Sequence, residues 1–387
     1  MSGQGACRTR RVVMAQTTAG ARTRNEILSQ PTCWRECLGA LDQSGELRRL
    51  EGWSPASEWL FIGCGSSYYV ALAAAASWTA LTGQAARALP ASELLLFPNL
   101  ALSPARPAPP NPGRTVAAAT PTARPPQPVL ISRSGHTSEV LKVAEWLELK
   151  QNLRTLAISC TTHQPLEEIC AFTLHLLPAD EQSLVMTRSF TSLLLGLQAL
   201  AAAQAGQRKG SEALRRLPEE MQPRVDPLAQ RVEEFVQAQA FADYVFLGQG
   251  PLFALASEGM LKTLEMSCSP AQCFHTLEFR HGPKALVSRQ TLVTFLLSES
   301  GYEAEREVLE EVKELGGTTL VVANHADARA RRAADLLIEL NLTVPEYARL
   351  AAYALPGQLL GLATGLKKGY DPDRPRHLSR AVILNNG

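Results

Sequence analysis

No CxxC pair and no compact cysteine/histidine cluster occurs in the chain, although eight cysteines are present, at positions 7, 33, 37, 64, 160, 170, 268 and 273. That scatter argues against a disulfide framework and against a structural zinc site. Reduced thiols and a cytoplasmic setting are the expectation, with no metal and no cofactor required. An excess of charge is missing too, since the formal net charge is +1. A broad nucleic-acid or membrane surface is thereby disfavoured, while a local basic pocket is not. No apolar run is long enough and free enough of charge to span a bilayer. Arg8, Arg10 and Arg11 look like a signal n-region, but the apolar stretch after them, Val12 to Ala15, is too short for an h-region. Met14 is an alternative start, in which case residues 1–13 carry nothing.

What the chain does have is a core. It is 45% hydrophobic and 19% charged over 387 residues, enough for two domains. Residues 1–22 are expected to be disordered. Residues 23–52 carry an amphipathic helical pattern broken at Pro31, with Trp34, Leu38 and Leu41 on its apolar side, expected to pack on a domain or a partner subunit. A first α/β domain is expected over 53–206 and a helical bridge, broken at Pro218, Pro223 and Pro227, over 207–240. A second α/β domain follows over 241–345, then a C-terminal helix and basic tail over 346–387. Strand candidates at 59–62, 87–89, 129–131, 155–159 and 173–176, and again at 244–247, 292–297, 318–323 and 336–340, alternate with helical patterns. That alternation predicts two tandem three-layer αβα domains, each a doubly wound parallel sheet. The recurrence of strand, glycine turn and Ala/Leu-rich helix suggests two copies of one module. One segment breaks the rhythm: Ser103 to Pro128 holds nine prolines. It is expected to form neither helix nor central strand, and to be a surface insertion. A proline-motif docking site and a plain tolerated loop are both open readings of it.

Residues 128–148 read as strand, hydroxyl-rich turn and helix. Val129, Leu130 and Ile131 lead into Ser132, Arg133, Ser134, Gly135, His136 and Thr137; Val140, Val143, Ala144 and Leu147 then recur at helical spacing. A helix start presents unpaired N–H groups and the positive end of its dipole, so hydroxyls just before it can complete a phosphate pocket. The same hydroxyls can equally well only cap the helix. Two further starts share the pattern. Gly63-Cys64-Gly65-Ser66-Ser67 precedes the helix 68–81, and Thr187 to Thr191 leads into the helix 192–205. Three such starts point to an anionic, hydroxylated small ligand, which in a parallel sheet sits beyond the carboxyl ends of the strands.

Acid–base chemistry has its own candidates. Glu258, Lys262 and Glu265, spaced four and three apart, share one face of the helix 252–267. A solvated Glu–Lys pair is one account of them. Against it, Leu255, Leu261 and Leu264 cover much of the remaining surface, and a carboxylate beside a buried lysine is a tuned acid or base. His281 stands on an Arg-His-Gly-Pro loop, better punctuated than nearby His275 and suited to a proton shuttle.

These segments resemble the double sugar-isomerase-domain (SIS) family. The resemblance covers roughly residues 23–387. Gly63-Cys64-Gly65-Ser66-Ser67-Tyr68 is similar to a CGTSYHA-type turn, Ile131 to Thr137 to ISQSGET, and Thr187 to Thr191 to STKAFT. Glu258 to Glu265 resembles EGALKLKE, and Glu278 to Leu286 resembles ELKHGPLAL. The family includes the isomerase half of glucosamine-6-phosphate synthase, aminosugar-phosphate deaminases and ketose/aldose isomerases. The resemblance implies that Ser132, Ser134 and Thr137 hold a phosphate, assisted by Arg133, with Gly65, Ser66 and Ser67 near the sugar. It implies that Glu265 moves a proton between C1 and C2, that Lys262 contacts the substrate or neutralises Glu265, and that His281 opens the ring. It further implies a homodimer in which His281 reaches in from the neighbouring subunit. Several departures stand out. Arg380 replaces the reactive lysine of the PRNLAK tail; it cannot form a Schiff base but can bind an anion. His136 replaces an acidic residue, and Leu184 and Met186 alter the pocket wall. Residue 2 is Ser2 rather than a cysteine, so ammonia is not expected to come from glutamine. The function expected is conversion of a hexosamine 6-phosphate to a ketose 6-phosphate with release of ammonia. Plain aldose–ketose isomerisation and a non-catalytic sugar-phosphate sensor are the alternatives.

Overall fold

The computed structural model describes residues 18–53, 56–102 and 124–384. Among the described residues ten strands form two sheets. The first holds β1 (Trp59–Gly63), β2 (Ala86–Pro90), β3 (Gln127–Ile131), β4 (Leu156–Ser159) and β5 (Phe172–His175), in the order β2-β1-β3-β4-β5. The second holds β6 (Asp243–Gly248), β7 (Ala271–His275), β8 (Thr291–Leu296), β9 (Thr318–Ala323) and β10 (Leu336–Glu339), in the order β10-β9-β8-β6-β7. Every pairing is parallel. Counted from its own first strand, each sheet runs 2-1-3-4-5. The expected architecture, two tandem αβα parallel sheets, is therefore present, and the two modules share one topology. Strands β1, β3, β4 and β8 are buried along their whole length because helices cover both faces.

The helix Leu252–Ser267 packs against the long helix Glu346–Lys367 more closely than side chains would allow. Gly357, Gly361 and Gly365 recur every four residues on one face of the latter. A Cβ added at these positions would meet Gly259 Cα at 2.9 Å, the Lys262 carbonyl oxygen at 2.8 Å and the Met266 carbonyl oxygen at 2.2 Å. That bare ridge fixes the helix carrying Glu258, Lys262 and Glu265 within the interior.

Several expectations need correction. Order begins before residue 23, in the helix Ala21–Leu28. Its unpaired N-terminal N–H groups are satisfied by the far end of the chain: Gly20 N–H donates to Asp371 at 2.8 Å and Thr23 N–H to Asp373 at 2.8 Å. Residues 1–17 lie outside the described residues. Pro31 does not break a helix so much as start one, since it is the second residue of Gln30–Ser44, where its missing N–H costs nothing. Pro218 lies inside the helix Arg208–Met221 and Pro227 inside Val225–Ala238; only Pro223 falls in the short turn between them.

The proline-rich segment also ends differently. Most of it, 103–123, lies outside the described residues, but Gln127 and Pro128 are the first two residues of β3, a central strand. Gln127 N–H donates to the Glu58 carbonyl at 2.9 Å, on the β1 side. The nitrogen of Pro128 then faces β4, whose pairing begins only at Val129 opposite Leu156. On that side the Arg154 carbonyl accepts the Gln127 Nε2–H at 3.0 Å instead, which is how proline enters a central strand here. Strand β7 was not anticipated; it is an edge strand, half-exposed along its length.

Candidate active site

Two turns flank the point where the first sheet reverses direction, between β1 and β3, the place where a doubly wound sheet opens a crevice. After β1, Gly63 is pressed against the next helix, where a Cβ would lie 2.5 Å from the Ser67 carbonyl. Gly65 takes φ +55°, and the helix Ser66–Thr82 begins immediately. After β3, Gly135 takes φ +67°, and a Cβ there would collide with the Gln164 side chain at 1.8 Å. Gly135 N–H donates to Ser132 Oγ at 3.1 Å, and His136 N–H donates to Ser134 Oγ at 3.3 Å. The helix Ser138–Leu149 follows. Ser132 thus braces the turn from within. Ser134 and Thr137 face a cleft shared with Gly65, Ser66, Ser67, Arg133, Leu184, Met186 and Glu265.

The floor of that cleft comes from the second module. Lys262, with no exposed surface, lies 3.3 Å from Glu258 and also pairs with Glu265. Its Nζ donates to Ser66 Oγ at 3.2 Å, and Ser66 Oγ donates to Glu258 Oε1 at 3.1 Å. One hydroxyl of the first module and three charged groups of the second are therefore a single network. Burial pushes the Glu258 carboxyl up to about 8, against the pull of Lys262 and the Ser66 hydroxyl. For Lys262 burial acts the other way, but the two carboxylates outweigh it and its pKa is raised. Glu258 Oε2 is buried without a partner. Glu265, 17% exposed at its side chain, is the charged member of this network that reaches the cleft.

The third hydroxyl-rich helix start is not open to a ligand. The chain's own Glu181, 1% exposed, fills it. Thr187 N–H and Oγ donate to Glu181 Oε1 at 2.6 and 2.7 Å, and Ser189 Oγ donates to the other carboxylate oxygen. Arg133 stands 3.5 Å from Glu181 and donates to the carbonyls of Leu184 and Arg380, each at 3.0 Å. Its guanidinium ties the wall of the cleft to the C-terminal tail rather than projecting freely at a ligand. Arg380 is likewise committed, to Asp180 and, at 2.7 Å, to the Glu181 carbonyl, although it too lines the cleft. The tail from Leu378 to Val382 closes one side, and Val382 carbonyl accepts the Ser138 N–H at 3.1 Å.

Of the residues singled out in the sequence, Gly65, Ser66, Ser67, Arg133, Ser134, Thr137, Glu265 and Arg380 meet in this cleft. Ser132 and Lys262 lie just behind it. His281 does not join them. It is exposed, on the loop after the short turn Glu278–Arg280, outside the cleft residues of its own chain. The reading of the chain passed over Glu181 and Glu26. Glu26, 3% exposed, accepts the Gln182 N–H at 2.6 Å and fixes the wall loop. A lone glutamate among polar neighbours gave no local signal for either. Among the described residues no group of three His, Cys, Asp or Glu side chains could hold a metal, and no helix is long and apolar enough to cross a membrane.

The fold finds its counterpart among known proteins. The chain carries a match to the SIS domain model over residues 243–360. It is homologous to glutamine–fructose-6-phosphate aminotransferase [isomerizing]: 26% identical over 355 residues to that of Methanothermobacter thermautotrophicus, covering 91% of this chain and 54% of the relative. The Pseudomonas putida enzyme of that name is 31% identical over 273 residues, covering 66% of this chain and 43% of the relative. The chain thus spans about half the length of these curated relatives. Among solved structures, glucosamine-6-phosphate deaminase from Thermotoga maritima is 28% identical with a TM-score of 0.72, covering 94% of this chain and 100% of that one. Tagatose-6-phosphate ketose/aldose isomerase from Escherichia coli shares the fold, with a TM-score of 0.79 at 22% identity over 95% of this chain and 98% of that one.

Proposed function

We propose that this chain is a phosphosugar deaminase/isomerase that converts a hexosamine 6-phosphate to a ketose 6-phosphate and ammonia. The observation that carries the reading is one cleft lined at once by the hydroxyls of Ser67, Ser134 and Thr137 and by the carboxylate of Glu265. Hydroxyls and helix N-termini suit a phosphate dianion; a lysine-paired carboxylate opposite suits proton transfer. The likeness to glucosamine-6-phosphate deaminase over nearly the whole of both chains supports deamination.

In the proposed reaction, Ser134, Thr137 and the N–H groups of their turn anchor the phosphate, and Ser66 and Ser67 orient the sugar. With the ring open, Glu265 takes the proton from C2, alpha to the C1 aldehyde. The resulting enolamine receives that proton at C1, leaving an imine at C2. Water adds to the imine carbon, ammonia departs, and the ketose remains. Lys262 pairs with Glu265 and holds it in place for the first step. Holding the two carbons within reach of one carboxylate makes the transfer effectively intramolecular. His281, which does not line the cleft of its own subunit, serves ring opening in the cleft of a partner, which makes a homodimer the active form.

Purified protein is assayed with glucosamine 6-phosphate and its epimers for ammonia and ketose 6-phosphate. Both products are expected from the wild type, and loss of both from Glu265→Gln. Ketose without ammonia from phosphorylated aldoses would establish plain isomerisation instead. Equal inertness of wild type and variant on a broad panel of phosphorylated sugars would overturn the enzymatic reading in favour of a binding protein.

A further inference from the structure

The turn that follows β3 holds more than its own backbone. The Arg133 carbonyl accepts the Cys160 N–H at 3.1 Å and the Ser159 hydroxyl at 3.2 Å, so the residue between Ser132 and Ser134 is mounted on the end of β4. From that fixed base its side chain, 4% exposed, reaches two separate walls of the cleft. Nη2 donates to the Leu184 carbonyl of the wall loop and to the Arg380 carbonyl of the tail, each at 3.0 Å, and Nη1 donates to the Ser183 carbonyl at 3.4 Å. Arg380 closes the ring, since its own guanidinium donates to Asp180 and to the Glu181 carbonyl, back in the wall loop. Turn, tail and wall loop are thus clasped by two arginines.

Burial does little to hold the tail. Leu378, Val382, Ile383 and Leu384 are 39%, 54%, 71% and 43% exposed, so their apolar surface stays largely in water. Ser379, Arg380 and Ala381 border open space twice, lining the cleft and also a second cavity shared with His136, Thr161 and Thr162. Among the described residues, the other hydrogen bonds from 378–384 to the rest of the chain are both at Ser138. Its N–H donates to the Val382 carbonyl at 3.1 Å, and its Oγ accepts the Leu384 N–H at 3.0 Å. The position of the tail therefore depends on a few polar contacts, and Arg133 supplies the one that faces the cleft.

We infer that Arg133 is a positioning residue, which holds the tail along the cleft against the phosphate turn and so retains the sugar phosphate without itself binding it. The inference rests on the proposal that this turn anchors a phosphate. The competing assignment is a direct phosphate ligand. Against it, four of the five guanidinium N–H groups are engaged with Glu181, Ser183, Leu184 and Arg380, and Nε alone has no partner. A bidentate grip on an anion needs two N–H groups, so it would require opening the clasp.

The test compares full-length wild type with Arg133→Met, both shown folded by circular dichroism. Trypsin cleavage of the Arg380–Ala381 bond, whose carbonyl Arg133 holds, is followed by mass spectrometry, with the exposed Lys150–Gln151 bond as internal reference. The ratio of the two rates is expected to rise about 10- to 100-fold in the variant, the span for one lost hydrogen bond to a charged group. A general loss of stability would speed both cleavages and leave the ratio alone. Inorganic phosphate binding in equilibrium dialysis is expected to stay within about twofold of wild type, as for a site that the substitution does not touch. KM for glucosamine 6-phosphate is expected to rise about 10- to 100-fold with kcat little changed. An unchanged cleavage ratio or an unchanged KM overturns the inference. So does a loss of phosphate affinity of about tenfold or more, which would make Arg133 a ligand. If wild type neither binds phosphate nor turns over phosphorylated sugars, the reading of the site fails and the cleavage ratio alone decides: a raised ratio supports the clasp, an equal one overturns it. Should Arg133→Met not fold, Arg133→Lys keeps the charge beside Glu181 but not the planar fork that spans two walls. A raised ratio in that variant then supports the inference, and an equal ratio overturns it.

Discussion

Lys262→Met isolates the network that joins the two modules. Methionine fills the volume of a lysine that has no exposed surface, so the change removes charge with little change in packing. At 3.3 Å from Glu258, the Lys262 ammonium interacts with that carboxylate by about 5 kcal/mol at an effective dielectric near 20. Breaking one side of a buried ion pair costs about 3–5 kcal/mol in other proteins, which agrees. The loss is expected to depend on pH, and its sign can be worked out. Without Lys262 the pull that lowers the Glu258 pKa is gone, so the carboxyl, already raised to about 8, rises further. A group with a raised folded pKa binds more protons folded than unfolded, so stability falls as pH increases through that window. Urea unfolding should therefore show a deficit of about 3–5 kcal/mol at pH 8, shrinking markedly at pH 5, where the Glu258 carboxyl carries a proton. A deficit under about 1 kcal/mol at pH 8, or one equal at both pH values, would refute the argument that Lys262 serves to neutralise this pair.

Ser134→Ala should raise KM for a phosphorylated sugar by about 10- to 100-fold with kcat much less affected, because a hydrogen bond to a charged group contributes about 1.5–3 kcal/mol and is made in ground and transition states alike. Steady-state kinetics check this; an unchanged KM would remove Ser134 from the phosphate site. Co-expression of Glu265→Gln with His281→Ala, each inactive alone, should restore activity in mixed dimers, where one cleft in two receives both native groups. Mixtures as inactive as the separate variants would mean that His281 acts in its own subunit or not at all.

Local signals carried most of what the chain revealed before its structure. The serine turns, the helix Leu252–Ser267 and the strands of both sheets each depend on residues adjacent in sequence, so their pattern was visible. Strand β7 was not, because an edge strand such as Ala271–His275 has no need of a buried β-branched run. The proline content of 103–128 argued against a strand, yet Pro128 enters β3 because the Gln127 side chain gives the Arg154 carbonyl the donor that proline lacks. Long-range pairings were invisible in principle. Nothing in the sequence tells that Asp371 and Asp373 cap the first helix, that Glu181 plugs the third helix start, or that residues 378–382 lie along the cleft. The glycines at 357, 361 and 365 recur with a period of four that gains meaning only beside the helix they admit.

The most direct test of Glu265 as the carrier of the hydrogen is to run glucosamine 6-phosphate turnover in deuterated water and examine C1 of the ketose by NMR. If one carboxylate ferries the proton and exchanges it partly with solvent, wild type yields ketose with less than one deuterium at C1. Glu265→Gln then forms product at least about 100-fold more slowly. Ketose formed by Glu265→Gln at the wild-type rate would contradict the account.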